Sequence, residues 1–214
     1  MSLKAVFISD THNRLSDIIH RIPDGDILVH SGDATVVGNS IKIAVFGNHM
    51  RKLPHKHKIF VPGNHDVLFE TDESQARSLL GPGIHCLINE GVEIEGIKFW
   101  GSPYTPYFCN WAFNLFDDDL KKMWKKIPED TDVLITHGPP HLVLDECPDG
   151  NGTKNVGCKH LLKEIQTRVN PTVHAFGHIH EGYGTNCINE TIFINSSIMN
   201  GKYKMTNRPI IYHI

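Results

Sequence analysis

Residues 59–66 read Ile-Phe-Val-Pro-Gly-Asn-His-Asp, a short apolar run that ends abruptly in a polar turn. A continuous apolar run, without polar alternation, is typical of a strand buried on both faces of a sheet. In an open parallel sheet, ligands bind just beyond the carboxyl ends of the strands. Asn64 and His65 therefore occupy the place in the pattern where a functional site is expected.

Four further segments of the chain repeat this pattern of an apolar run followed by a polar turn. The runs cover residues 5–8, 27–30, 133–135 and 173–176. The turns after them contain, in chain order, Asp10 with His12, then Asp33, then His137, and finally His178 with His180. Because the carboxyl ends of parallel strands share one edge of a sheet, these distant side chains should converge on a single site.

Helix-like segments separate the apolar runs and complete an alternating pattern. We predict helices at residues 38–50, 72–80, 117–127 and 156–168. The first of them has Ile41, Ala44 and Val45 at the i, i+3, i+4 spacing of one helix face. Alternation of strands and helices favours a largely parallel sheet with helices outside it.

Two parts of the chain carry signals for antiparallel strands instead. Turn signals at residues 89–91 and 95–96 predict hairpins between short strands. Residues 184–213 resemble consecutive strands, with a turn at residues 189–190. The complete pattern predicts an α/β domain, residues 1–214, in which a pair of mixed sheets is covered by helices.

Composition excludes several classes of protein. The net charge of -3 provides no basic field for an extended nucleic-acid surface or an anionic membrane. No apolar stretch approaches the roughly 20 residues that span a bilayer. Five scattered cysteines without a C-x-x-C spacing indicate reduced thiols, so we expect a cytoplasmic protein. From the charge and the apolar pattern we expect a small-molecule substrate and no membrane partner.

Each polar residue at a strand end also has a purely structural explanation. Asp10 is an acceptable helix N-cap, Asp33 suits a turn, and His137 can be a hydrogen-bonded core histidine. Five strand ends that all carry such residues favour a shared site instead. Carboxylate, carboxamide and imidazole groups without a thiolate suit Mn²⁺, Fe, Mg²⁺ or Zn²⁺.

The number of donors predicts two ions. Seven candidate ligands exceed the needs of one tetrahedral ion, so two ions about 3.5–4 Å apart that share a carboxylate are the simplest arrangement. Side chains two residues apart on an extended segment point the same way. On that ground His178 and His180 should face one side of their segment, and so should Asp10 and His12.

The string Gly-Asn-His occurs twice, and only one copy has the right context. Residues 47–49 follow a helical pattern and precede Met50, whereas residues 63–65 follow a strand and precede Asp66. We therefore assign the site to Asn64 and His65 and interpret His49 as a residue near a helix end.

Together the strand-end motifs resemble those of the calcineurin-like metallophosphoesterase superfamily. The motifs, in the family's order, are Asp10-x-His12, Gly32-Asp33, Gly63-Asn64-His65-Asp66, Thr136-His137-Gly138 and Gly177-His178-x-His180. Further strings are similar to the metallophosphoesterase domain-containing branch of that superfamily. They are residues 9–12, 100–103, 136–140, 176–184 and 194–197, the last followed by 209–211. The resemblance implies a four-layer α/β/β/α sandwich of two mixed β-sheets flanked by helices.

The resemblance also implies a role for each candidate residue. One metal would be held by Asp10, His12, Asp33 and His180, and the other by Asp33, Asn64, His137 and His178, so that Asp33 bridges the two ions. Mn is the expected metal, with Fe, Zn or Mg as alternatives. Superfamily members place a hydroxide between the ions, which attacks phosphorus in line. His65 would protonate the leaving alkoxide.

The expected substrate is a small phosphodiester, a cyclic nucleotide among them. Phosphoprotein-phosphatase relatives carry a second Asp after the Gly-Asp motif, which orients the acid histidine, but residues 34–38 contain neither an acid nor an arginine. A phosphomonoesterase, a phosphoprotein phosphatase and a non-catalytic nucleotide-binding scaffold are the alternatives. Arg14, Asn64 and His65 are candidates for substrate contact, and specificity should lie in the loops at residues 101–116 and 141–157.

Overall fold

Two β-sheets form the centre of the molecule in the computed structural model, which describes residues 2–150 and 152–214. The first sheet has the strand order β15-β1-β2-β3-β4, in which only β15 is antiparallel to its neighbour. Its strands are β1 (Lys4–Ile8), β2 (Ile27–His30), β3 (His57–Phe60), β4 (His85–Cys86) and β15 (Ile210–His213). All of the first three predicted strands are therefore present and parallel.

The second sheet has the strand order β13-β14-β12-β9-β6-β5. Its outer pairs are antiparallel and its central pairs are parallel. Its strands are β5 (Glu90–Ile94), β6 (Ile97–Ser102), β9 (Val133–Thr136), β12 (Val173–Phe176), β13 (Gly184–Ile188) and β14 (Thr191–Asn195). Two minor sheets pair β7 (Thr105–Pro106) with β8 (Asn114–Leu115) and β10 (Glu146–Pro148) with β11 (Thr153–Asn155).

The four predicted helices are present, with ends that differ from the prediction by a few residues. The helices are α1 (Leu15–Ile18), α2 (Ser40–Lys52), α3 (Leu68–Thr71), α4 (Glu73–Leu80), α5 (Asp117–Trp124) and α6 (Lys159–Glu164), the last continued by a π-helical turn. Two of them begin at a side-chain cap, because Asn39 accepts from the Lys42 amide and Asp72 from the Gln75 amide. Within the described ranges, no helix has the length and apolarity needed to cross a membrane.

The apolar stripe that predicted α2 is not the face that this helix buries. Ile41 is 74% exposed and Val45 is 41% exposed, whereas Ile43, Phe46 and Met50 are buried. The prediction of a helix is confirmed, but the predicted buried face was wrong. The segment contains two groups of apolar residues, and the helix buries the group that was not used for the prediction.

Three separate apolar cores establish four layers. One core lies between the two sheets, a second between the first sheet and α1, α2 and α4, and a third between the second sheet, α5 and α6. The core between the sheets includes Phe7, Val29 and Ile59 from one side and Phe99, Ile135 and Ala175 from the other. The outer cores contain Phe46 and Leu80 on one side of the molecule, and Trp124 and Leu161 on the other. The predicted α/β/β/α arrangement of two mixed sheets is confirmed.

Only part of the hairpin prediction holds. Residues 95–96 and 189–190 are two-residue turns with positive φ at both positions, the geometry that matches the twist of paired strands. The turn predicted at 89–91 is instead the point where the chain passes from β4 in the first sheet to β5 in the second. The strands in 184–213 also divide between the sheets, because β15 pairs with β1.

Candidate metal centre

The carboxyl ends of β1 and β12 bring the first group of candidate ligands together. The first group is Asp10, His12 and His180, whose donor atoms all lie within 4.8 Å of one another. His180 Nε2 is 3.4 Å from Asp10 Oδ1. All three side chains are buried, with exposed fractions between 0% and 7%. Residues that are 170 positions apart in the sequence thus share one pocket.

The ends of β2, β3, β9 and β12 supply the second group. It contains Asp33, His137 and His178, whose donor atoms also lie within 4.8 Å of one another. Asn64 joins them through its Oδ1, which is 3.0 Å from His137 Nε2. The same ring nitrogen is 3.4 Å from Asp33 Oδ2.

Asp33 faces both groups with one oxygen. Its Oδ2 is 3.4 Å from His137 Nε2 in the second group and 3.9 Å from His12 Nε2 in the first. His65 Nε2 is 4.0 Å from the same oxygen. The other oxygen, Oδ1, accepts a hydrogen bond from the His65 amide at 2.9 Å, which fixes the rotation of the carboxylate. Asp33 is therefore placed to connect the two groups.

Three of the histidines are oriented by backbone carbonyls. The Nδ1 atoms of His12, His137 and His180 lie 3.1, 2.9 and 3.3 Å from the carbonyl oxygens of residues 35, 31 and 200. A carbonyl can only accept, so each Nδ1 carries a proton, and each Nε2 is the nitrogen that would bind a metal once it is deprotonated. This arrangement is the usual support of a metal-binding imidazole. His12 Nε2 is buried and has no hydrogen-bond partner among the described residues.

Burial and neighbouring histidines act in opposite directions on the two carboxylates. Burial, the largest influence, would raise the pKa of Asp10, but the hydrogen bond and charge of His180 hold this pKa well below its usual range. Burial likewise opposes ionisation of Asp33, and His137 together with His65 and His12 keeps its pKa low. In return, Asp33 overcomes the burial of His137 and raises the pKa of that ring to about 9.

The buried carboxylates of Asp10 and Asp33 are suited to bind a cation. In the described part of the chain, their only ion-pair partners are histidines. Burial and the charge of His137 lower the pKa of His178 to about 4, so this ring is a neutral donor near pH 7. Buried charges are stable when they are paired or bind a metal. The donor set and its burial therefore fit divalent metal ions.

Several of the candidate ligands have a left-handed backbone conformation. Asp10, His12, Asp33 and His178 have φ values of 54°, 40°, 54° and 69°. Such conformations cost of order 1–3 kcal/mol for residues other than glycine and concentrate at functional sites. The prediction that His178 and His180 face one side of an extended segment was therefore wrong, because this segment is not extended. His178 turns toward Asp33, whereas His180 begins a short 3₁₀ turn beside Asp10.

Two glycines of the motifs are required by close approach. A Cβ at Gly63 would lie 2.2 Å from Asp33 Oδ1, and one at Gly32 would lie 2.2 Å from His137 Nδ1. Gly32 also has a φ of +103°, which other residues rarely adopt. The glycines before Asp33 and Asn64 thus make room for the candidate ligands themselves.

The group that orients His65, which the sequence left unassigned, is a backbone carbonyl. His65 Nδ1 lies 2.6 Å from the carbonyl oxygen of Val36, within the segment where the sequence lacks an acid. The ring also packs on Trp111, with centroids 4.1 Å apart, and meets His12 edge to face at 4.9 Å. These contacts leave Nε2 on the side of Asp33.

Asp66 belongs to one of the motifs but was given no role from the sequence, and the structure shows that it holds two of the loops together. Its carboxylate accepts from the amides of Ala34, Thr35 and Gly63 at 3.2, 2.9 and 2.8 Å, and from the Thr35 hydroxyl at 2.7 Å. Burial, with the charge of Asp33 second, raises its pKa to about 6. The sequence signal was an Asp three residues after Gly63, the spacing that lets a side chain close a turn.

The remaining candidates lie elsewhere or stay predictions. Asn48 accepts from an Arg51 amino group on the outside of α2, so the second Gly-Asn-His string is not part of the centre. Arg14 forms an exposed pair with Asp17 at 2.9 Å, and its role in substrate binding stays a prediction.

His174 is a buried histidine beside the end of β9, and its pKa makes the stability of the fold depend on pH. Its Nε2 lies 2.8 Å from the hydroxyl of Thr136, which donates to the Gly138 carbonyl, so His174 Nε2 carries a proton. Burial alone lowers the pKa of His174 to about 3 from 6.5. The unfolded chain therefore binds more protons than the folded chain between these values, and stability falls as the pH falls from 6.5 toward 3.

Substitution of His174 by Gln keeps an N–H donor and removes this titration. In chelator, between pH 7.5 and pH 4.5, the unfolding free energy of H174Q should fall by about 2 kcal/mol less than that of the parent. Urea denaturation measures the difference, and the control is substitution of the exposed His213 by Gln. Equal acid sensitivity of H174Q and the parent would contradict this account of His174.

Comparisons with known proteins identify the family of this chain. The calcineurin-like phosphoesterase family model matches residues 3–182, a range that includes every candidate ligand. The chain therefore belongs to the calcineurin-like phosphoesterase family, whose members are divalent-metal-dependent phosphoester hydrolases.

Similarity to individual relatives extends over most of the chain. The chain is 39% identical to UPF0046 protein K07C11.7 of Caenorhabditis elegans, over 99% of this chain and 75% of that one. It is 36% identical to metallophosphoesterase domain-containing protein 1 of Homo sapiens, over 96% of this chain and 69% of the relative. The branch suggested by the sequence motifs is thus confirmed.

A solved structure shares the fold at much lower identity. The purple acid phosphatase PPD1 from yellow lupin seeds superposes with a TM-score of 0.51 and 14% identity, over 92% of this chain and 44% of the phosphatase. This likeness supports the four-layer architecture alone.

Proposed function

We propose that this protein is a two-metal phosphodiesterase that acts on small diesters, cyclic nucleotides among them. The observation that carries the proposal is the position of Asp33, whose Oδ2 lies within 4.0 Å of ring nitrogens in the first group, the second group and His65. The first ion would bind Asp10, His12, Asp33 and His180, and the second Asp33, Asn64, His137 and His178. Two divalent ions at this place would activate water and offset charge on the phosphoryl oxygens.

His65 is the proposed general acid. The Val36 carbonyl holds its Nδ1 proton, and packing on Trp111 limits rotation of the ring. Nε2 is thereby presented to the pocket at 4.0 Å from Asp33 Oδ2, where it can donate a proton to the departing oxygen. The backbone of His65 serves the same centre, because its amide fixes Asp33.

The preference for diesters is inferred from the nearest arginine and from the support of His65. A monoester dianion carries one more negative charge than a diester and is usually bound by an arginine clamp. Arg14, the arginine nearest in sequence to a candidate ligand, is already paired with Asp17 at the surface. The neutral Val36 carbonyl in place of an acid also separates this chain from the phosphoprotein phosphatases described above.

Two chromogenic esters test the substrate class. With added Mn²⁺, the protein should hydrolyse bis-p-nitrophenyl phosphate about 10-fold faster, in kcat/KM, than p-nitrophenyl phosphate. Apo protein prepared with a chelator should be inactive on both until metal is restored. Faster hydrolysis of the monoester would refute the diesterase proposal while leaving the family assignment intact.

Further properties are part of the same proposal. Mn²⁺ is the proposed ion, and the oxygen and imidazole nitrogen donors also accept Fe, Zn²⁺ and Mg²⁺. Residues 1–214 form one domain, as the shared core between the two sheets favours. The cytoplasm is the proposed location, where the five unpaired cysteines would stay reduced.

A further inference from the structure

Tyr203 lies beside the candidate metal centre although no sequence pattern pointed to it. Its ring centroid is 4.8 Å from that of His180 and 5.5 Å from that of His12. Both contacts are tilted, with interplanar angles of 69° and 53°, so neither histidine stacks flat on the tyrosine. The residue is 58% exposed, which leaves much of its ring accessible from solvent.

The loop at residues 200–208 holds the ring of Tyr203 in place with a strained backbone conformation. Tyr203 has a φ of 55°, a left-handed conformation that is costly for a bulky side chain. Asn200 Oδ1 accepts from the amides of Lys202 and Lys204 at 2.9 and 3.1 Å. Asn207 Nδ2 donates to the carbonyls of residues 197 and 199. An exposed aromatic ring contributes little packing energy, so packing does not explain why Tyr203 is held in a left-handed conformation.

The same loop is coupled to the candidate ligands. The carbonyl of Asn200 faces Nδ1 of His180 at 3.3 Å and also accepts from the Tyr203 amide at 2.8 Å. Lys202 and Lys204, on either side of the tyrosine, are both exposed. An anionic ester that approaches the centre over this loop would meet two cationic side chains and an open aromatic face.

We propose that Tyr203 is the platform on which a flat aromatic or heteroaromatic group of the substrate stacks, so that the protein selects nucleoside-type diesters over alkyl diesters. The inference rests on the proposed phosphodiesterase function and adds its specificity residue. Trp111 is the less suitable platform, because its ring already packs on His65. Stacking of a base on an aromatic side chain contributes enough to change affinity by about 10-fold or more.

Two esters with the same leaving group test the platform. We compare thymidine 5′-p-nitrophenyl phosphate with methyl p-nitrophenyl phosphate, using Mn²⁺-loaded full-length protein. Substitution Tyr203→Ala should raise KM for the thymidine ester about 10-fold, with kcat within about twofold, and leave both constants for the methyl ester unchanged. Tyr203→Phe should behave as the parent, because stacking does not require the hydroxyl. The control is Tyr107→Ala, which removes an exposed ring stacked on Phe116.

Equilibrium binding decides the proposal independently of turnover. Calorimetric titration with thymidine 5′-phosphate should show about 10-fold weaker binding to Tyr203→Ala than to the parent, whereas methyl phosphate should bind both alike. Metal content should be the same in all variants. An equal loss for both ligands, or a Tyr203→Phe variant as impaired as Tyr203→Ala, would overturn the platform. If the parent binds thymidine 5′-phosphate through Tyr203 but hydrolyses neither ester, the diesterase proposal fails and the platform stands.

Discussion

Replacement of Asp33 by asparagine is expected to lower kcat/KM for bis-p-nitrophenyl phosphate by about 1,000-fold or more. The substitution keeps the size of the side chain and an oxygen that can accept from the His65 amide, which lies 2.9 Å away in the parent. It removes the negative charge that faces His12 and His137 at 3.9 and 3.4 Å. Loss of the shared carboxylate should weaken the binding of both ions. Together the two ions lower the activation free energy of hydrolysis by several kcal/mol.

Metal analysis, on D33N protein whose circular dichroism matches that of the parent, tests whether the loss of activity comes from loss of the ions. After dialysis against micromolar Mn²⁺, the parent should retain about two ions per chain and D33N fewer than one. The control is Asp17→Asn, which removes an exposed carboxylate paired with Arg14 and should keep both ions. A D33N protein that keeps two ions and near-parental activity would exclude Asp33 as the bridge.

The second large effect is expected at His65. Substitution by glutamine should reduce kcat about 100-fold or more for a diester with an alkoxide leaving group, because such an oxygen needs a proton as it departs. The p-nitrophenolate group leaves without protonation, so hydrolysis of bis-p-nitrophenyl phosphate should fall only a few-fold. His65 is not a proposed ligand, and the variant should therefore retain its metals.

The repeated Gly-Asn-His string supplies a matched control for this experiment. His49→Gln makes the same chemical change in the same tripeptide, but on α2, where the neighbouring Asn48 bonds Arg51. It should leave both rates unchanged. A loss at His65 that is equal for both leaving groups would argue for a positioning role and against proton donation.

The convergence of the centre could be predicted because it follows from sheet topology. The strands ending before Asp10, Asp33, Asn64, His137 and His178 are parallel members of two packed sheets, and their carboxyl ends meet. Continuous apolar runs identify such strands without knowledge of the fold. The order of the motifs then indicated the family, which the comparison over residues 3–182 confirms.

Other features depend on local geometry that residue patterns do not encode. The rule that side chains two residues apart face the same way did not apply to His178, because its backbone is left-handed and its donor atom lies in a different group from that of His180. The support for His65 is a carbonyl of Val36, and every residue has a carbonyl. No residue type could signal it. The buried face of α2 was missed since exposed Ile41 and Val45 imitate a core stripe.

Tyr203 shows a third limit of sequence reasoning. Specificity was expected in the loops at residues 101–116 and 141–157, and the first of these does place Trp111 on His65. The platform proposed here lies about 50 residues beyond the second loop, in a segment between β14 and β15 without a motif. Its position follows from the return of the chain to the first sheet, where β15 pairs with β1, the strand that ends just before Asp10.

Anomalous diffraction from crystals grown with Mn²⁺ tests the central claim most directly. Data collected at the manganese absorption edge should show two peaks about 3.5 Å apart, with Asp33 in contact with both. One peak should also contact Asp10, His12 and His180, and the other Asn64, His137 and His178. A single peak, or two peaks that Asp33 does not join, would contradict the two-metal centre proposed here.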